Sequence, residues 1–329
     1  MDWSRGFSAS YILMTVNPTT WEDEQEFPII EGSVDSDISA DLLVSADVVM
    51  NQPLGERWVR VYLIATQNGG AERVPVFTGL TSEPSRKIKG NIITYNMSCY
   101  SVLKPAADKM VPLGYYAQAG SEGAAAAAAL LKECGLRVTY TPGGAYLPMA
   151  IIAEAGETYL TMVQRIVNAL GWRVKIDGKG RVDICPYDSK VVAEFDTSTD
   201  MLEPEVTDEQ DWYSCPNVLR VTCDNYSVTV KDEDPNSPLS IPRRGREIWK
   251  AESVNSVADL GQYALARLKE LQSPARSLDY TRRFNPNVMP GDVVRISYPA
   301  QGINGVFRVA SQSIDLEYGA RTKEVAYEA

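Results

Sequence analysis

The sequence has no histidine in 329 residues. That absence removes Ser-His-Asp and Cys-His catalysis and every histidine-ligated metal centre. Cysteine is sparse: Cys99, Cys134, Cys185, Cys215 and Cys223 are odd in number and far apart, with no Cys-x-x-Cys pair. A zinc site would need a rarely seen ligand set, so buried free thiols in a reducing compartment are expected. Cys99 and Cys185 fall in strand-like runs, where a small apolar side chain fits. No segment approaches the ~20 uninterrupted apolar residues of a membrane span. The N-terminus lacks the basic, apolar, small-residue order of a secretory signal, so export by that route is not expected. Walker loops, dinucleotide fingerprints and kinase motifs are missing.

Positive charge is scarce and unevenly placed. Lys+Arg number 32 against 43 Asp+Glu, a net charge of −11. Glu22 to Asp47 holds nine carboxylates and no basic residue, and Glu194 to Asp211 holds eight and none. Such a chain repels phosphate over most of its surface, which argues against a protein that grips DNA but not against one that lets DNA slide past. The basic clusters Arg243-Arg244-Arg246 and Arg282-Arg283 carry no glycine-rich or aromatic companion pattern, so they read as solvated or subunit-contacting patches.

The remaining chemistry is thin. A glycosidase needs two carboxylates, and Glu154, Glu157 or Asp183 satisfy that by residue type, yet none sits in a groove-like aromatic setting. Asp177, Lys179 and Asp183 lack calcium-loop spacing and read as a hairpin turn. Asp232-Glu233-Asp234-Pro235-Asn236 is a slightly better metal candidate, but an exposed acidic loop is the simpler reading. No catalytic residue, cofactor or metal is expected.

What is present is β structure. In the last fifty residues, Pro290-Gly291-Asp292 turns into Val293-Val294-Arg295-Ile296, and Asn304-Gly305 and Tyr318-Gly319 place hairpin turns between short apolar runs. The same order of parts appears early, through Pro53-Leu54-Gly55-Glu56, Trp58 to Leu63, Val74 to Leu80 and Ile92 to Met97. Val76-Phe77 answers to Val306-Phe307. The pattern reads as one β module used twice, against the plainer alternative that two β meanders look alike. Trp58, Val61, Phe77 and Gly79 in the first copy, and Gly291, Asp292 and Phe307 in the second, are the candidate structural and assembly residues.

Between the copies the periodicity changes. Ser101 to Asp108, the alanine-rich Ser121 to Cys134 closed by Gly135, and Thr158 to Leu170 read as helices. Strands Trp172 to Ile176 and Arg181 to Pro186 flank an Asp177-Gly180 turn. Residues 1–100 thus form a first β domain, 101–188 an α/β insert, and 189–329 linker strands, a helix and a second β domain. Asn217 to Cys223 and Tyr226 to Val230 form a strand pair around Asp224-Asn225. Ser256 caps the last helix, with Asp259 three residues on; Val257, Leu260, Ala264, Leu268 and Leu271 give it a narrow apolar face expected to lie on the closing β domain. The class is α+β, mainly β.

Tyr95-Asn96-Met97-Ser98-Cys99-Tyr100-Ser101-Val102-Leu103 resembles the strand-to-helix junction leaving the first barrel of bacteriophage tail hub proteins. Asp234 to Ser240 followed by Arg243-Arg244-Gly245 looks like a loop of their long-tailed members. Leu260 to Leu271, then Asn285-Pro286, Pro290 to Val294 and Gly305 to Val309, is similar to their helix and last barrel. The resemblance covers nearly the whole chain and implies two tube-like antiparallel β-barrel domains per subunit, with a small α/β domain inserted. It also implies a homotrimeric ring at the tail tip or baseplate, in which six similar units meet a sixfold tube. The implied partners are the tail tube or distal tail protein, fibre, spike or tape-measure proteins, and viral DNA passing unbound during ejection. The implied location is the virion, after assembly in the host cytoplasm. Some members carry a C-terminal lysozyme or peptidase; the sequence stops at Ala329, so that activity is not expected. In that setting Asp35, Asp37, Asp41 or Asp47 are expected to line the bore. The rivals are a hexameric distal tail protein and a tail-associated cell-wall hydrolase.

Overall fold

The structure is a computed structural model that describes residues 1–196, 202–223, 226–254, 259–272 and 276–329. The chain divides into two compact units, Met1–Val206 with Asp279–Tyr327, and Thr207–Leu278.

Period-two alternation builds the first half of the larger unit. Its strands are β1 (Ser8–Val16), β2 (Asp23–Pro28), β3 (Glu31–Asp37), β4 (Val44–Met50), β5 (Trp58–Gln67), β6 (Gly70–Thr81), β7 (Ser85–Lys89) and β8 (Ile92–Ser101). They pair antiparallel in the order β3-β4-β8-β6-β5-β1-β2, with β7 on β8. One face buries Val34, Ala46, Val48, Met50, Val61, Leu63, Phe77, Met97 and Cys99 in a single cluster. The opposite face is polar along β3, β4 and β8, at Ser33, Asp35, Ser45, Asp47 and Ser98, whereas Val16 of β1 and Trp58 of β5 pack there into the apolar cluster of the insert.

The insert contains α1 (Lys104–Asp108), β9 (Tyr116–Ala117), α2 (Gly123–Glu133), β10 (Val138–Tyr140), β11 (Ile151–Ile152), α3 (Tyr159–Ala169), β12 (Trp172–Ile176) and β13 (Val182–Pro186). The alanine run forms α2, whose Ala124, Ala127 and Ala128 are buried in one cluster with Met162, Val163 and Ile166 of α3. Gly135 follows α2 at φ +80°, the left-handed position that glycine fills without strain. The Thr158 hydroxyl accepts from Thr161 N and caps α3.

β14 (Val191–Asp196) and β15 (Leu202–Gln210) follow. The smaller unit then forms from β16 (Val218–Cys223), β17 (Tyr226–Lys231), α4 (Ile241–Arg244), β18 (Trp249–Ser253) and α5 (Leu260–Leu271), with strand order β17-β16-β18. Here the structure corrects an expectation: Ala264 and Leu268 of α5 pack on Leu219 and Val221 of β16, not on the closing β half. A narrow apolar face is matched by a three-stranded sheet. The N-cap is Asp259, whose carboxylate accepts from Gly261 N and Gln262 N at 2.9 and 3.0 Å. Ser256, Val257 and the Asp224-Asn225 turn lie outside the described residues.

The chain returns to the large sheet with β19 (Arg276–Arg283), β20 (Val293–Tyr298), β21 (Ile303–Asp315) and β22 (Arg321–Glu328). In the first half the strands lie β1-β5-β6-β8-β4-β3; in the second they lie β14-β20-β21-β22-β19-β15. Numbered within each half, omitting β2, β7 and the strands of the smaller unit, both orders are 1-4-5-6-3-2. One pairing differs in sense: β1 runs antiparallel to β5, whereas β14 runs parallel to β20.

The halves are not two separate closed barrels. They share one 14-stranded sheet whose path ends at β2 and β15. The join is made by the length of β21: Ile303–Arg308 pairs with β20, and Ser311–Asp315 pairs antiparallel with Asp37–Ser33 of β3.

Candidate interaction face

Residues directly opposite each other in antiparallel strands point to the same face. The registers therefore align Asp315, Ser33, Asp47 and Ser98 in one rung across β21, β3, β4 and β8, and Ser313, Asp35, Ser45 and Tyr100 in the next. Ser311 and Asp37 begin a third. None of these positions carries a basic side chain. Ser313 and Ser33 donate to Asp35 at 2.5 and 2.7 Å, and Ser98 donates to Asp47 at 2.6 Å. Asp37 accepts from the Ser39 amide and hydroxyl at 2.7 and 2.6 Å, holding the β3–β4 turn. Of the four aspartates singled out from the sequence, Asp35, Asp37 and Asp47 share this face. Asp41 stands apart in the turn, where its carbonyl accepts from Gln164 at 3.1 Å. Behind the rungs, burial and then the Asp47 charge push the Cys99 thiol up to about 12. All five cysteines are free, but only Cys99 and Cys215 are buried, Cys134, Cys185 and Cys223 being partly exposed.

The corresponding face of the second half is of mixed charge. Lys323 pairs with Asp279 at 3.2 Å and Arg321 with Glu203 at 2.7 Å. Its interior holds what the sequence hid: Arg282 and Glu324 are fully buried in a bidentate ion pair at 2.8 and 2.5 Å. Gln312 donates to the same carboxylate at 2.7 Å, and the Arg282 guanidinium lies 5.0 Å from the Phe195 ring centre. Arg282 is therefore not part of a solvated patch. The signal was its spacing, because Leu278, Tyr280 and Arg282 alternate into the core. Burial, followed by the Glu324 charge, raises the Tyr280 phenol well above its ordinary range.

The candidate assembly residues sort into two groups. Val61, Phe77 and Phe307 are core, and Trp58 meets Trp21 edge-on with ring centres 5.1 Å apart. Phe77 faces Val61 and Phe307 faces Val294 in corresponding hairpins. Each ring covers a glycine, Gly79 and Gly305 respectively. A Cβ on Gly79 would stand 2.0 Å from the Tyr100 carbonyl oxygen, so only glycine lets β6 and β8 close. Gly291 and Asp292 belong to a clasp between the insert and the β19–β20 turn. Asp292 accepts from Arg173 at 2.9 Å, Lys175 at 3.1 Å and the Met289 amide at 3.1 Å. Burial opposes the Arg173 charge, but the hydrogen bond and charge of Asp292 outweigh it and hold the guanidinium above its ordinary value.

Other groups have structural partners. Buried Glu157 accepts from the Glu154 amide and pairs with Arg165 at 2.8 Å, and Asp183 accepts from the Thr139 hydroxyl at 2.9 Å. In the acidic loop, Asp232 accepts from Ser237 and Gln272, and Asp234 from the Asn236 amide. No group of three or more metal-type ligands occurs among the described residues. Arg244 bonds the Cys215 and Trp212 carbonyls and Arg246 the Tyr213 carbonyl, so these two arginines tie down a loop. No described helix is long and apolar enough to cross a membrane.

No family model and no curated protein matches the sequence. Solved structures do match. A tail protein from Neisseria meningitidis MC58 superposes at TM-score 0.69 with 17% identity, over 97% of this chain and 96% of that one. The 43 kDa tail protein of prophage MuSo2 from Shewanella oneidensis gives 0.66 and 14%, over 96% and 97%. Prophage tail protein gp18 from Listeria monocytogenes EGD-e gives 0.55 and 12%, over 97% and 94%. Over nearly its whole length, the chain has the fold of bacteriophage and prophage tail proteins.

Proposed function

We propose that this protein is a structural hub of a phage-type tail, acting by assembly and not by catalysis. Three copies form a ring at the end of the tail tube, so that a threefold tip meets a sixfold tube. The observation that carries this reading is the six-strand order 1-4-5-6-3-2, repeated in both halves of the large sheet. Three chains with two such halves offer six similar β modules, each a segment of a tube-like barrel completed by its neighbours. The α/β insert at 101–188 and the smaller unit stand outside this repeat. The tail proteins that share the fold support the tail as location, in a virion assembled in the host cytoplasm. The tail tube or distal tail protein on one side, and fibre, spike or tape-measure proteins on the other, are the partners this position implies.

In this ring the face bearing Asp35, Asp37 and Asp47 lines the bore. The carboxylates and hydroxyls of these rungs repel phosphate, and Lys323 and Arg321 of the second half are held in ion pairs with Asp279 and Glu203, so DNA passes through unbound. Asp41, in the β3–β4 turn, is not assigned to that wall. Trp58, Val61, Phe77, Gly79 and Phe307 hold the modules, and Gly291 and Asp292 hold the insert to them.

Native mass measurement of the purified assembly tests the reading. Three subunits support the hub, six support a distal tail ring, and clearing of a peptidoglycan suspension would favour a hydrolase.

A further inference from the structure

The repeat contains one completed joint and two open halves of another. In the second half, the edge of β21 facing away from β22 is occupied first by β20 and then, over Ser311–Asp315, by β3 of the first half. In the first half, the corresponding edge is occupied by β5 along β6 and then continues into β7. Among the described residues, β7 pairs only with β8, so its other edge is open. The strand equivalent to β3 is β15, and among the described residues it pairs only with β19. Each chain thus presents the donor strand of a joint at one place and the acceptor strand at another. Unpaired edges of this kind attract a further strand.

We propose that β7 of one copy pairs antiparallel with β15 of the next, repeating between chains the β21–β3 joint made within each chain. The chemistry of the two strands is complementary. β7 reads Ser85-Arg86-Lys87-Ile88-Lys89, every residue exposed, and β15 carries Glu203, Glu205, Asp208 and Glu209 with no basic residue. Opposite charges facing each other across a strand pair stabilise it, whereas two acidic or two basic strands repel. The β7–β8 hairpin also exposes Ile88 at 60%, with Ile93 opposite it on the same face at 38%, an apolar pair that a neighbouring chain would cover. The joint is heterologous, so it closes into a ring only if the rotation per copy divides a full turn. The proposal deepens the hub reading by naming the strands that meet, and it rests on that reading only for the number of copies.

The test places Lys89→Cys and Glu205→Cys together in the full-length chain and separately in two controls, each treated with a short bismaleimide. The double variant is expected to give covalent dimer and trimer, with neither single variant exceeding the wild-type background. Native mass measurement of the same samples separates the two ideas. Trimers without cross-links above background overturn the joint and leave the hub reading standing; monomers without cross-links overturn both. Charge reversal supplies an independent arm. Lys87→Glu/Lys89→Glu and Glu205→Lys/Glu209→Lys should each weaken assembly at least tenfold, and mixing the two reversed proteins should restore it. Unchanged assembly in both reversed proteins overturns the joint.

Discussion

The Ser313 hydroxyl donates to Asp35 at 2.5 Å across 278 residues of chain, and this bond fastens the two repeated halves of the sheet. A hydrogen bond to a charged group is worth about 1.5–3 kcal/mol. A double-mutant cycle of Asp35→Ala and Ser313→Ala, read by urea denaturation, should return a coupling in that range. Coupling near zero would mean that the joint is held by its backbone ladder alone.

Arg282 and Glu324 predict an asymmetric response. Arg282→Met leaves a buried, uncompensated carboxylate and should cost about 3–5 kcal/mol. Arg282→Met with Glu324→Leu should recover most of that loss, because two buried charges are replaced by apolar volume. A double variant as unstable as the single one would show that Gln312 and Phe195 require the ion pair for their own packing.

The clasp at Asp292 predicts selective loosening of the insert. Asp292→Ala strands Arg173 beside Lys175 and should speed proteolysis within residues 101–188 while leaving cleavage of the smaller unit unchanged. Gly291→Ala should behave similarly, since its φ is +88° and its Cβ would meet Arg173 Nη1 at 2.1 Å. The backbone term alone is about 1–2 kcal/mol. Equal proteolysis of both units would assign Asp292 to global stability instead.

Acid should weaken the smaller unit through Glu252. Hydrogen bonds from Arg267, working against burial, hold this carboxyl below its ordinary value of 4.5. A lowered folded-state value stabilises the fold above pH 4.5, and that contribution disappears as pH falls through the lower folded value. The stability gap between wild type and Glu252→Gln, followed by hydrogen exchange of the amides of β16 and α5 in denaturant, should be widest at neutral pH and narrow below pH 4.5. A constant gap would show that the Arg267 contact is electrostatically idle.

The local alphabet of this chain was legible from residue order. Alternation placed the strands, alanine and the Gly135 stop placed α2, and the matched Phe77 and Phe307 hairpins marked the repeat, because side-chain period is written in neighbouring residues; Asn304-Gly305, read as a hairpin turn, lies instead within β21, the turn falling at Pro299–Gly302. Tertiary structure alone decided the rest. Arg282 looked solvent-bound until β22 brought Glu324 to it, and the narrow face of α5, expected on the closing β domain, packs on β16 instead. The fusion of both halves into one sheet depends on β21 being long enough to serve two neighbours, and strand pairing between residues hundreds of positions apart leaves no short-range trace.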